Sequence, residues 1–308
     1  MSLRFSSRNE FIARETGGLI HTLTGQGEVV SVYSKATNVL HPGGLLVSLV
    51  RDHSQMTALS IRVPDFFHES VSKNVAVKSG DKAAFEAGRL AIGDFSIDLR
   101  DGEIWEGSLV PSDVKGFSPF KGSILREALV QKGKKGGLLG LIHPEDEENP
   151  FVRKATEITT RVFVDEEKNA QFIGLSQMVG LGIGFTPSGD DFISGVLLGE
   201  EIRNLTRPDR AGMSEMAEDA ITRRAIDKEE IWRAKDRTNY GGKTLLWQTL
   251  RGHFPFYLIE AARGLANAND VKEMMEMLSR ASSHGETSGT DALVGLLFYL
   301  DWVAINRR

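Results

Sequence analysis

The chain has 308 residues with 42 acidic and 37 basic side chains, a net charge of −5 and no cysteine. The absence of cysteine excludes disulfides, thiolate metal sites and a cysteine nucleophile, and the acidic balance argues against a nucleic-acid partner. No run reaches the about 20 apolar residues of a membrane helix, and the first residues lack the apolar core of a signal peptide, so a cytoplasmic protein without a membrane partner is expected.

Residues 1–118 are predicted to form a β-rich domain, a barrel or sandwich-like sheet, in an α+β protein. Short runs rich in β-branched residues alternate with turn signals such as Pro42-Gly43 and Gly80-Asp81. The predicted strands are Val29–Tyr33, Leu45–Val50, Leu59–Val63, Val75–Val77 and Phe95–Leu99. Asp101-Gly102 is a residue pair that tight hairpin turns prefer, and it predicts a hairpin between Ile97–Leu99 and Ile104-Trp105.

Residues 119–308 are predicted to form a mainly helical domain, because apolar residues recur there with the period of a helix. The predicted helices are Ser123–Gln131, Asp191–Asn204, Ser214–Ile226, Thr244–Arg251, Phe256–Leu265, Val271–Ala281 and Asp291–Ile305. The acidic segment 143–150, bounded by prolines, is interpreted as a solvated loop.

The segment Gly180–Gly199, GLGIGFTPSGDDFISGVLLG, is the strongest candidate for a ligand site. Ser188 is a preferred N-cap and Asp191 stands where a capping box needs an acceptor, so a helix is predicted to begin at Ser188. Gly189 leaves the N–H groups of the first turn unshielded, which favours an anion at this helix N-terminus, with Thr186 and Gly184 close by. The alternating glycines before this turn suggest a backbone that passes close to another backbone or a ligand.

Asp190 and Asp191 add two carboxylates to this turn. One can cap the helix while the other acts as a general base, an amide acceptor or a Mg²⁺ ligand. No cofactor is assigned, and Mg²⁺ at Asp190 and Asp191 is an open alternative. The plainer interpretation is a capped core helix after a glycine-rich turn. Gly195 and Gly199, one helical turn apart, indicate close helix packing.

A second copy of the motif follows one hundred residues later, where Ser288, Gly289, Asp291 and Gly295 repeat the pattern. We predict that the two helices cross near Gly195 and Gly295, so that their N-termini face each other. Thr287, Ser288 and Gly289 would then bind the same small anionic or amide ligand as the first turn, with Asp291 as a further catalytic candidate.

Other motifs are weaker. Gly241-Gly242-Lys243-Thr244 lacks the first glycine of a phosphate loop, although Lys243 remains a candidate anion contact. His284 precedes the second motif and is a possible acid or base near neutral pH, or a structural residue. No histidines have metal-ligand spacing, and no G-x-S-x-G hydrolase signature is present, so neither a histidine metal site nor a serine hydrolase is predicted.

The two motifs, T-P-S-G-D-D-F-x-x-G and T-S-G-x-D-x-x-x-G-L-L, resemble those of the bacterial DUF2877 family, which includes the AllH subunit of oxamate carbamoyltransferase. Members often carry histidine directly before the second motif. Here Glu286 stands at that place and His284 lies two residues earlier, so the resemblance assigns neither of them a role.

The resemblance implies carbamoyl transfer between oxamate and phosphate, linking oxalurate to carbamoyl phosphate in purine or allantoin breakdown. It also implies an FdrA-like protein partner and a further subunit. Oxamate, oxalurate, phosphate and carbamoyl phosphate are small anions suited to helix N-termini. The alternative is a non-catalytic small-anion-binding or scaffold protein for a larger synthetase-like partner.

Overall fold

A computed structural model describes residues 9–67, 77–118, 121–143, 149–164, 172–206 and 226–305. The predicted strand Val75–Val77, the predicted helix Ser214–Ile226 and the acidic loop 143–150 lie wholly or largely outside these residues. The chain forms two compact units: Met1–Gly107 with His253–Phe256, and Ser108–Gly252 with Tyr257–Arg308.

The first unit is a ten-stranded, half-barrel sheet, and with the helices that follow it confirms the α+β prediction. The strand order is β1-β9-β8-β7-β3-β4-β5-β6-β2-β10. The strands are β1 Asn9–Ile12, β2 Glu15–Gly17, β3 Gly25–Val32, β4 Ala36–Leu40, β5 Leu46–Val50, β6 Ser60–Arg62, β7 Lys82–Glu86, β8 Arg89–Ile92, β9 Phe95–Asp98 and β10 Glu103–Trp105.

The curvature of this sheet follows from its connections. Strands β1 and β2 are separated by two residues, yet β1 pairs with β9 while β2 pairs with β6 and β10 near the other end of the strand order. So short a link requires the two ends of the sheet to approach each other. Side chains such as Val47, Leu49 and Ile97 are fully buried in this unit, and each stabilises it by about 1.5–3 kcal/mol.

The predicted hairpin at Asp101-Gly102 is wrong. Both edges of β9 are already paired, one with β1 and the other with β8, so no edge is left for β10. Strand β10 instead pairs in parallel with β2. The Asp101-Gly102 turn therefore joins strands near opposite ends of the sheet order, which local turn chemistry could not reveal.

The second unit is helical. Its described α-helices are α1 Gly122–Lys132, α2 Pro150–Thr159, α3 Ser188–Leu205, α4 Lys228–Arg233, α5 Tyr240–Thr249, α6 Phe256–Asn267, α7 Val271–Ser282 and α8 Ser288–Ile305; the first residue of α6 belongs to the other unit. Helix α2 was not predicted, although its start carries a clear signal: the Asn149 side chain accepts a hydrogen bond from the N–H of Phe151, and Pro150 is the first helical residue.

Helices α3 and α8 form the centre of this unit, with most of their residues buried. Helix α8 is also long and apolar enough to cross a membrane by composition, but 72% of that 18-residue window is buried inside the protein. Packing in the helical core accounts for its apolar character.

Candidate functional site

The two motif helices cross at their glycines. A Cβ atom on Gly195 would overlap the backbone carbonyl of Ala292, and a Cβ on Gly295 would overlap that of Phe192. The contacts are reciprocal, because each glycine faces the residue that stands three before the other glycine. The absence of side chains at both positions lets the backbones approach and brings the two N-terminal turns together, as predicted.

The glycine-rich approach to α3 is built from left-handed backbone. Gly180, Gly182 and Gly184 have φ angles of 76°, 108° and 111°, which residues with a Cβ rarely adopt. At Gly180 a Cβ would also overlap the carbonyl of Arg237. The predicted close approach of two backbones is confirmed at Gly180. At position 184 a Cβ would have room, and glycine is favoured there by the φ angle alone.

Ser188 is the first residue of α3 and not its cap, which corrects the sequence prediction. Pro187 occupies the cap position and offers no side-chain hydrogen bond. The N–H of Gly189 donates to Leu181 O at 2.8 Å, and in the second turn the N–H of Gly289 donates to His284 O at 3.1 Å. Both N–H groups are therefore already bonded within their own turns and are not the unshielded donors that the sequence suggested.

Asp190 and Asp191 are separated by the structure. The Asp190 carboxylate accepts hydrogen bonds from the N–H of Gly180 at 2.9 Å and from the hydroxyl of Thr238. Burial raises the pKa of Asp190 from 3.8 to about 6, against the lowering effects of these two donors and of Arg237. Asp190 therefore organises the glycine loop, and it does not share its partners with Asp191.

Asp191 lies under the meeting point of the two turns. The Thr186 hydroxyl donates to Asp191 Oδ2 at 2.9 Å and shares a second 2.9 Å hydrogen bond with the Ser288 hydroxyl. Ser288 also lies close enough to lower the pKa of Asp191. The hydroxyls of Thr186 and Ser288, from two distant segments, thus form one polar cluster with Asp191, which is 1% exposed.

Asp291 is the counterpart in the second turn and is fully buried. Its Oδ1 accepts the backbone N–H of Leu138 at 2.6 Å, and a Cβ on Gly137 would overlap the same carboxylate. The hydroxyls of Ser188 and Thr287 lie near enough to lower its pKa. The pairing is crossed, because Ser188 of the first turn faces Asp291 and Ser288 of the second faces Asp191.

Each aspartate of the crossed pair keeps one oxygen without a hydrogen bond. Asp191 Oδ1 and Asp291 Oδ2 are buried and lack a normal hydrogen-bond partner among the residues that the structure describes. Burial is the first cause that raises the pKa of Asp191 well above its ordinary value, and the charge of Asp291 is the second. Burial also raises the pKa of Asp291 to about 6. Ionisation of one carboxylate of the pair therefore opposes ionisation of the other.

Two further residues near this pair, Tyr257 and Lys134, escaped sequence reasoning, whereas His284 was already a candidate. The Tyr257 ring stacks on His284 with 4.2 Å between ring centroids. Burial and the charges of Asp191 and Asp291 raise the pKa of Tyr257 well above 10. Burial, with a contribution from Lys134, lowers the pKa of His284 to about 4. At neutral pH both rings are uncharged.

Lys134 and the segment after it hold the second turn in place. Its Nζ donates to Ser283 O and Gly285 O at 2.7 and 2.6 Å, and its backbone N–H donates to the Thr290 hydroxyl at 2.9 Å. These bonds arise only in the folded chain, since Lys134 and the second motif are about 150 residues apart in sequence, so no local pattern could have found them.

The remaining predicted residues differ in exposure and in their partners. Thr186, Thr287 and Ser288 are half-buried, while Gly184 and Glu286 are exposed. Ile183 and Phe185, in the glycine loop, are 77% and 50% exposed. The Lys243 Nζ lies 3.6 Å from Asp236, so its charge is directed to that carboxylate.

The described residues contain no group of three or more histidine, aspartate or glutamate side chains that could hold a metal ion. The carboxylates of Asp190 and Asp191 have different partners, so the geometry gives no support to Mg²⁺ at this pair.

The chain thus belongs to a class of two-unit proteins, with a β-sheet unit and a helical unit that carries the crossed Ser–Asp turns. Two family models match it: oxamate carbamoyltransferase subunit AllH over residues 178–300 and the AllH family N-terminal domain over residues 7–104. Together they cover most of the chain, which belongs to the AllH family. No curated protein and no solved structure matches it. The family is named for one subunit of a multi-subunit enzyme, which implies protein partners.

Proposed function

We propose that the crossed turns form the carbamoyl-transfer site of an oxamate carbamoyltransferase, with this chain as one subunit. The observation that carries the proposal is the hydrogen bond between Thr186 and Ser288, which joins both motifs above Asp191. The family match over residues 178–300 contains both motifs and supports it. An FdrA-like protein is the proposed partner.

The site can hold a small anion without net charge repulsion only when one aspartate is protonated. A helix N-terminus is equivalent to roughly +0.5 charge, so α3 and α8 together supply about +1. Two ionised aspartates would outweigh that charge, whereas one ionised aspartate would about balance it. Burial and the charge of Asp291 raise the pKa of Asp191 well above its ordinary value. The state with one ionised aspartate is therefore favoured.

On this proposal, hydroxyl groups hold the anionic ends of the substrates. Thr186, Thr287 and Ser288 are half-buried, whereas Ser188 and both aspartates are buried. Hydroxyls can donate hydrogen bonds to a carboxylate, a phosphate or a developing oxyanion. On this proposal they bind the carboxylate of oxamate or oxalurate and the phosphate.

The proposed reaction begins when a phosphate oxygen attacks the terminal ureido carbon of oxalurate. A new C–O bond forms, and the C–N bond between that carbon and the oxamate nitrogen breaks. The nitrogen keeps the electron pair and takes a proton from a carboxylic acid of the site, which gives oxamate and carbamoyl phosphate. In the reverse direction the carboxylate takes that proton back, which is general acid–base catalysis.

The test is carbamoyl phosphate formation from oxalurate and phosphate, measured with the chain alone and with its co-expressed partner subunits. Ser288→Ala removes a hydroxyl beside Asp191 and is expected to reduce turnover by about tenfold or more. Ser283→Ala is the matched control, because its exposed hydroxyl bonds only to Arg280 O in its own helix. A folded Ser288→Ala chain with wild-type turnover would refute the catalytic proposal and favour an anion-binding or scaffold role.

A further inference from the structure

The two aspartates of the crossed pair occupy equivalent places but have different hydrogen-bond donors. Asp291 Oδ1 accepts a backbone N–H, that of Leu138, at 2.6 Å. Asp191 Oδ2 accepts a hydroxyl, that of Thr186, at 2.9 Å. The repeat is therefore symmetric in sequence and asymmetric in hydrogen-bond chemistry.

This difference determines which carboxyl group tolerates a proton. A backbone N–H can only donate, so the Leu138 bond favours an ionised Asp291. A hydroxyl can donate or accept, and hydroxyls lie near both carboxylates: Thr186 and Ser288 at Asp191, and Ser188 and Thr287 at Asp291. Among the described residues, the Leu138 N–H is therefore the donor that distinguishes the two carboxylates. Gly137, which presses against the Asp291 carboxylate, also leaves that group little room to turn away from Leu138.

We propose that Asp191 carries the proton of the pair, whereas Asp291 stays ionised and its free Oδ2 accepts an N–H group of the substrate's amide. This inference rests on the proposed function and assigns different roles to the two residues. Oxamate and oxalurate, the substrates of the proposed function, each carry an N–H group that could serve the buried Oδ2.

The other titratable groups facing the pair are consistent with this assignment. Asp190 is the third carboxylate that affects Asp191, and burial keeps Tyr257 and His284 neutral. The Lys134 ammonium, the cation of the second turn, is bonded to Ser283 O and Gly285 O. Both aspartates lie in the first turn of a helix, so the Leu138 N–H is the donor that favours the single charge at Asp291.

The protonation is tested without substrate by infrared spectroscopy of the full chain near pH 7.5, where groups with a pKa of about 6 are mostly ionised. We expect the carbonyl band of a protonated carboxylic acid in the wild type and in Asp291→Asn, and its loss in Asp191→Asn. A band that survives in Asp191→Asn, or a wild type without one, overturns the assignment. Wild type and Asp191→Asn suffice if Asp291→Asn does not fold.

The acceptor role is tested by calorimetric titration of the chain, and of its complex with its partners, with oxamate and oxalate. Oxalate has a second carboxylate in place of the amide of oxamate, so it lacks the N–H and carries one more negative charge. The wild type is expected to bind oxamate about tenfold more tightly or better. Asp191→Asn should keep this preference. Asp291→Asn should lose it, because its amide oxygen would face Leu138 and its NH₂ would face the ligand.

Oxamate that binds no more tightly than oxalate, including no binding of either, contradicts the acceptor role. Loss of the preference in Asp191→Asn alone contradicts the division between the two residues. Both measurements are independent of turnover. If carbamoyl phosphate forms while these experiments fail, the division is wrong and the proposed function stands.

Discussion

The Thr186 hydroxyl lies 2.9 Å from the Ser288 hydroxyl, although the two residues are 102 positions apart. This bond joins the turn before α3 to the first turn of α8. Thr186 also binds Asp191, so removal of either hydroxyl disturbs the same cluster.

The two hydroxyls are therefore expected to act as a unit. Thr186→Val and Ser288→Ala should each lower turnover about tenfold, and the double variant should lose less than the product of the two effects, with a coupling of about 1 kcal/mol. The measurement is a double-mutant cycle on kcat/KM. Thr156→Val, whose hydroxyl bonds to Val152 O within α2, is the control partner and should combine additively with Thr186→Val. Additivity between Thr186 and Ser288 would contradict the joint role.

The helix crossing should not accept a methyl group. Gly195→Ala and Gly295→Ala each place a Cβ on the opposite backbone, and each is expected to reduce the free energy of unfolding by about 1–3 kcal/mol or more. Urea denaturation measures this loss. Gly122→Ala in α1 is the matched control, because its Cβ would meet no atom closer than 3.7 Å and alanine favours a helix. An equal effect at all three positions would argue against the close crossing.

Asp190 should make the protein less stable as pH rises. Its pKa is raised from 3.8 to about 6, so the folded state binds a proton more tightly than the unfolded state. That stabilisation is complete below about pH 4 and is lost as pH rises through 6, by about 3 kcal/mol at most, at about 1.36 kcal/mol per pKa unit.

Asp190→Asn removes this titration while keeping groups that can bond to Gly180 and Thr238. Relative to wild type, its free energy of unfolding should therefore increase from pH 4 to pH 7. Urea titrations at several pH values measure the difference. Val130→Ala, at an exposed site without a titrating atom, should differ from wild type by a constant amount. A constant difference for Asp190→Asn as well would contradict the raised pKa.

His284 is expected to act through its ring and not through a proton. Burial lowers its pKa to about 4, so its NMR signals should not titrate between pH 6 and pH 8. His284→Phe keeps a ring against Tyr257 and should cost little stability, whereas His284→Ala should cost about 2–4 kcal/mol. Thermal unfolding compares the two variants. A neutral pKa in the NMR titration would restore His284 as an acid–base candidate.

The sequence predicted the repeated elements well because their signals are local. Helices α3 and α8 follow from S-x-x-D before an apolar run, and the glycines at 195 and 295 indicated the crossing. Strands β5 and β9 follow from short β-branched runs. The ligand-binding roles assigned to these turns stay predictions.

The partners of the aspartates could not be predicted, since they come from distant segments. Leu138 contributes a backbone N–H, which every residue except proline has, so its letter carries no signal. Tyr257 is an ordinary apolar position of α6 until the fold stacks it on His284. The hairpin at Asp101-Gly102 failed for the same reason: the partners of β9 were decided by β1 and β8.

The crossed pairing has a consequence for folding. Neither turn forms a complete half of the site, because the serine of each turn faces the aspartate of the other. The loop of about one hundred residues between the turns must therefore close before the site can form. Contacts of such long sequence separation are slow to form. The site is therefore complete only when α3 and α8 have docked, so a chain that has folded incompletely cannot carry a partly working copy of it.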